Sequence, residues 1–135
     1  MNKNEMKYFS VAREVSKLSD NTRYHIGAIV VKHKNIVGMG RNSRKTHPLQ
    51  YKLNKWRPKE PSSVYNGQLH AEIQAIVNTR GIDLNKAEIY VYRETLNDTL
   101  ACCRPCSACM KLIKQRGIKK IHYTTEDGFV TEELV

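Results

Sequence analysis

The sequence predicts an α/β sandwich built on one mixed sheet. Three observations lead there: an amphipathic helical segment near the N-terminus, two short apolar runs joined by a tight polar turn, and a strand, helix, strand succession in the second half. A length of 135 residues fits one domain over 1–135, with a core large enough to need no disulfide staples.

Within 4–18, Met6, Phe9, Ala12, Val15 and Leu18 recur every three residues, with Lys7, Arg13, Glu14 and Lys17 between them, as on an amphipathic helix. The runs 26–32 and 36–39, joined by His33, Lys34 and Asn35, read as a β-hairpin. Periodicity is lost over 40–67, which carries Pro48, Pro58 and Pro61 among many basic residues and is expected to be a long functional loop. Helical spacing returns at 69–79 through Leu69, Ile73, Ile76 and Val77, with Gly81 as its stop. Segment 87–92 alternates as a strand, placing Ile89 and Val91 on one face. A helix over 107–116, closed by Gly117, then leads to a strand at 118–123, so the two strands should be parallel neighbours. Finally Asp127 and Gly128 form a turn that folds Phe129 and Val130 back as a short last strand.

The formal net charge of +10 attracts phosphates, whether on a nucleotide, a nucleic acid or a membrane surface, although exposed lysines also serve solubility. No basic segment leads into an apolar run at the N-terminus, and no window approaches the about 20 apolar residues of a membrane span. A soluble cytoplasmic protein without a membrane partner is expected. All four cysteines, Cys102, Cys103, Cys106 and Cys109, fall within eight positions, which argues against a disulfide framework and for metal or redox chemistry.

Catalytic zinc normally takes three protein ligands, imidazole and thiolate among them, and leaves one position open. Cys106 and Cys109 stand three apart at the start of a predicted helix, and His70, 36 positions before Cys106, also stands at a helix start. Two helix N-termini would converge there, and their positive ends favour thiolate. Glu72 lies about 200° around a regular helix from His70. The two can share a site only if that helix points end-on, with His70 in or before its first turn.

His70-Ala71-Glu72 followed by Pro105-Cys106-Ser107-Ala108-Cys109 resembles the paired motif of the cytidine and deoxycytidylate deaminase superfamily. The resemblance extends over the order of elements as far as Tyr123, and it implies the three-layer α/β/α sandwich of that superfamily. It also implies one zinc ion held by His70, Cys106 and Cys109, with Glu72 as the proton carrier for hydrolysis at C4 of a cytosine ring. Asn42, in Gly40-Arg41-Asn42-Ser43, is carried over as a substrate ligand, and Ala71 and Pro105 as substrate contacts within the motif. Members are frequently homo-oligomers, and the same is expected of this chain.

Rival readings use the same residues. Cys103, Cys106 and Cys109 also fit the front of an iron–sulfur run, and Cys106 with Cys109 a redox pair, but neither employs His70 or Glu72. A third rival is a non-catalytic zinc module that binds nucleic acid. It rests on Arg41, Arg44, Lys45, Lys52, Lys55, Arg57 and Lys59 interleaved with Tyr51 and Trp56, with Glu60 the one acid. Against it stands a solvated loop whose Trp56 packs on the body. Cys102 and Cys103 are expected to pack. His25, His33, His47 and His122 are expected to be surface or turn residues, His47 being near enough to Asn42 to line a pocket.

As to substrate, the chain ends about a dozen residues after Tyr123, shorter than the nucleic-acid-editing branches. Arg41, Arg44 and Lys45 follow a strand leading toward the expected site, where they could grip a 5′-phosphate. The expectation is therefore dCMP converted to dUMP with release of ammonia, ahead of a free nucleoside or a base in single-stranded RNA or DNA.

Overall fold

The computed structural model describes residues 2–21, 24–56 and 68–134. Helix α1 (Lys3–Ser16) opens on Asn2, whose side chain accepts the Glu5 amide at 2.8 Å. It buries the predicted Phe9, Ala12 and Val15 together with Tyr8, and stops before Leu18, which is exposed. Strands β1 (His25–Lys32) and β2 (Asn35–Arg41) form the expected hairpin. Its turn is only His33 and Lys34, both at positive φ (51° and 66°), the geometry that matches strand twist, so Asn35 already belongs to β2.

The stretch 40–67 is not one loop. Strand β2 runs on to Arg41, and 48–53 form helix α2 (Pro48–Leu53), continued by a 3₁₀ turn, Asn54–Trp56. Pro48 lies in the first turn of α2, where its missing N–H costs nothing, and His47 Nδ1 accepts the Leu49 amide at 3.1 Å. A residue that reads as a breaker thus opens a helix. Arg57, Pro58, Lys59, Glu60, Pro61 and Gly67 lie outside the described residues.

Helix α3 (Ala71–Val77) is shorter than the spacing predicts, because Leu69 is taken by backbone pairing to Lys45 and the left-handed turn comes at Arg80 (φ 53°), before Gly81. Strand β3 (Glu88–Glu94), helix α4 (Ser107–Gln115) and strand β4 (Lys120–Thr125) form the predicted crossover, with β3 and β4 parallel and Gly117 (φ 86°) ending the helix. Strand β5 (Gly128–Glu133) returns antiparallel to β4.

Among the described residues the sheet has the order β2-β1-β3-β4-β5 and is mixed, its other pairings being antiparallel. Alternation along the strands sends Ile29, Val31, Tyr90 and Tyr92 to α1, and Ala28, Val30, Ile89, Val91 and Ile121 to the face carrying α3 and α4. The predicted three layers result. Helix α3 sits directly on backbone: a Cβ at Gly38 would lie 2.3 Å from the Ala75 carbonyl oxygen, and one at Gly40 2.3 Å from the Ala75 nitrogen. Both glycines stand on one face of β2, and their lack of side chains sets how deep α3 beds. Among the described residues no helix is long and apolar enough to cross a membrane.

Candidate active site

His70 and Cys106 occupy the same place on two helices. Each is the N-cap, of α3 and α4 respectively, with extended backbone and a side chain that does not cap its own helix. The side chains meet instead: His70 Nδ1 lies 3.5 Å from Cys106 Sγ and 3.3 Å from the Sγ of buried Cys109, and the two sulfurs are 3.6 Å apart. A tetrahedral zinc site has S···S edges of about 3.8 Å and N···S edges of about 3.6 Å. The three donors therefore span one face of such a polyhedron to within a few tenths of an ångström, and two sulfurs with an imidazole are a donor set that suits zinc.

The end-on geometry demanded by the His-x-Glu spacing is present. Helix α3 starts at Ala71, so His70 precedes its first turn and Glu72, in that turn, faces the same cleft. Burial pushes the Glu72 carboxyl above its usual range, against the opposing pull of His70. The thiols divide: the hydrogen bond from Cys109 holds Cys106 down at about 3, with His70 assisting, whereas burial pushes Cys109 well up. A dication bound between the imidazole and the two sulfurs would displace the proton that Cys109 keeps.

Neighbouring elements fix these groups. Gln50, fully buried on α2, accepts the His70 amide at 3.0 Å through Oε1 and donates to Asn54 through Nε2 at 2.8 Å. The helix invisible in the sequence therefore positions the histidine. Its only signal was Pro48 at a first turn, with Gln50 and Leu53 three apart on one face. The thiol-bearing segment is fastened to the sheet by buried Thr124. Its Oγ1 accepts the Arg93 amide at 3.1 Å and donates to the Ala101 carbonyl at 2.8 Å, while its own carbonyl accepts the Cys103 amide at 3.1 Å.

The cleft, about 170 Å³, is lined by His70, Ala71, Glu72 and Cys106 together with Asn42, as expected, and also by Tyr24, Arg93, Cys102 and Arg104. Asn42 is already engaged: Oδ1 accepts the Ile26 amide at 2.8 Å and Nδ2 donates to the Tyr24 carbonyl at 3.1 Å, leaving one proton and one lone pair. Arg41, Arg44, Lys45 and Pro105 do not line the cleft. Arg41 is exposed at the end of β2, Arg44 is exposed with its amide on Asp20, Lys45 is exposed with its amide on Ser43, and Pro105 is buried beside Cys106. His47 caps α2 instead of facing the cleft. The cations that do line it come from the end of β3 and the segment before α4, and the readable signal was the C-terminal end of a strand in a parallel pair, where α/β folds place ligands.

Cys103 packs, as expected: its thiol donates to the Val91 carbonyl at 3.3 Å, away from the triangle, and burial pushes it up to about 12. An iron–sulfur run that needs Cys103 beside Cys106 and Cys109 does not match this placement. Cys102 is exposed rather than packed. His122 is not a surface histidine but buried, with Nδ1 2.8 Å from Thr131 Oγ1 and Nε2 2.7 Å from Glu88. Trp56 remains half exposed, with Lys111 of α4 4.3 Å above its ring.

The family model for the cytidine and deoxycytidylate deaminase zinc-binding region matches residues 2–125. The chain belongs to this family. It is an enzyme of the cytidine and deoxycytidylate deaminase type. Deoxycytidylate deaminase of Mus musculus is 28% identical over 130 residues, covering 93% of this chain and 67% of the mouse protein. That of Mycobacterium phage D29 is 28% identical over 131 residues, covering 88% of this chain and 92% of the phage protein. Among solved structures, the apo dCMP deaminase of cyanophage S-TIM5 superposes with a TM-score of 0.63 at 26% identity, covering 91% of this chain and 84% of that one.

Proposed function

We propose that the chain hydrolyses dCMP to dUMP, water entering at C4 of the cytosine ring and ammonia leaving, with His70, Cys106 and Cys109 holding one zinc ion. The observation that carries this reading is the triangle of donors with the buried Glu72 carboxyl beside it in one cleft. When bound, zinc supplies a Lewis acid that brings the ionisation of water near neutral pH. Glu72 does the proton work. Raised above its usual range, its carboxyl can take a proton from water, pass it to the ring nitrogen and then to the departing amine. Burial of Cys109 and of the Glu72 carboxyl limits the access of bulk water to these transfers. Asn42 and Ala71 meet the base and sugar from the walls. The relatives named deoxycytidylate deaminase support the choice of a nucleotide.

Ammonia release from cytidine, deoxycytidine, their monophosphates and triphosphates and a short oligonucleotide tests the assignment. The highest kcat/KM is expected on dCMP. No ammonia from any cytosine compound by protein carrying one zinc per chain sinks the reading, and preference for the oligonucleotide moves the substrate to single-stranded nucleic acid.

A further inference from the structure

Two cations line the cleft among the described residues, Arg93 and Arg104, and they differ in what they already hold. Arg104 is spent: its Nε and Nη2 grip the Glu132 carboxylate at 3.0 and 2.8 Å, and the Tyr123 hydroxyl donates to the same carboxylate. Arg93 has no carboxylate partner among the described residues. Its Nη1 donates to the Cys102 carbonyl at 3.2 Å, its guanidinium lies 4.8 Å from the centre of the Tyr24 ring, and its buried Nε has no acceptor. A guanidinium drawn partly out of water without a counter-charge is costly unless an anion comes to it. This one is also held in place beforehand by a carbonyl and a ring, so binding an anion orders little that was free.

We propose that Arg93 receives the 5′-phosphate of the nucleoside monophosphate and so sets the preference for nucleotide over nucleoside; this rests on the deaminase reading of the cleft. The phosphate grip is thereby placed at the end of β3 and not on Arg41, Arg44 or Lys45.

The test compares zinc-loaded wild type, Arg93→Gln and Arg93→Lys, reading ammonia release from dCMP and from deoxycytidine as a ratio of kcat/KM values. Because both substrates are assayed on one preparation, partial misfolding cancels. The ratio is expected to fall on the order of ten- to a hundredfold in Arg93→Gln, through KM for dCMP. Arg93→Lys, which keeps charge but loses the fork, should fall between, and either variant alone is decisive if the other does not fold. An unchanged ratio, or an equal loss on both substrates as from a mere brace of the Cys102 carbonyl, overturns the role of Arg93 and leaves the deaminase reading standing. A wild type that releases ammonia from neither substrate overturns both.

Discussion

On the α1 side of the sheet, Tyr8, Phe9, Tyr90, His122 and Phe129 fill the space ring against ring. Phe9 and Phe129 have centroids 4.5 Å apart, and Tyr90 stacks on His122 at 4.0 Å. The His122 imidazole in this layer has both nitrogens engaged. On the opposite side aliphatic residues pack α3 and α4, and the ends of those helices carry a buried carboxyl, an imidazole and two thiols into a cleft. The first face spends its burial on stability; the second gives some of it up to hold groups that water would solvate better. Stability and chemistry are thus assigned to different sides of one sheet, and mutations should separate them.

The largest effect should come from Glu72→Ala on the chemical side: zinc bound at one per chain and unfolding midpoint retained, ammonia release from dCMP reduced by about 10² to 10⁴ or more. Retained turnover in a folded, metal-loaded variant breaks the assignment. The mirror-image test is Phe9→Ala, expected to cost about 3–5 kcal/mol in urea unfolding while zinc affinity and KM hold steady. Weakened zinc binding there would show that the two faces are not separate. Gly40→Ala tests their junction, because the new methyl meets the backbone of α3. It should cost about 1–3 kcal/mol and, by lifting α3, also weaken zinc in a chelator competition.

The smallest expected effect is in alkaline solution. Cys103 keeps its proton in the folded chain up to about 12, whereas in the unfolded chain it ionises near 9. The unfolded state therefore binds fewer protons in that window, and stability falls as pH rises through it, by about 1 kcal/mol at pH 10. Cys103→Ala should remove that part of the slope between pH 8 and 10, and an unchanged slope would place the loss elsewhere.

The sequence carried the chemistry more clearly than its surroundings. The His70 to Glu72 spacing admits one geometry, a helix seen end-on, and the alternation and crossover from Glu88 to Thr125 follow from local patterns that tertiary contacts did not override. What stayed hidden depends on contacts between distant segments. Gln50 matters because α2 brings it under His70, twenty residues on. Arg93 looks like any strand-end cation until its contacts with Cys102 and Tyr24 and the lack of a carboxylate partner among the described residues are seen together. Arg41, Arg44 and Lys45 follow β2 in sequence yet do not line the cleft, because adjacency to a strand does not determine which way an exposed chain turns.

Thr124 fastens the chain on both sides of the projecting segment 95–99: the segment leaves β3 at Glu94, is paired back at Leu100, and is tied down again at Ala101 and Cys103. Chain length in that segment is therefore uncoupled from the placing of Cys106 and Cys109. Residues 96–98 offer an insertion point for a reporter group or affinity tag, one at which the enzyme should accept a label without disturbing the triangle of donors.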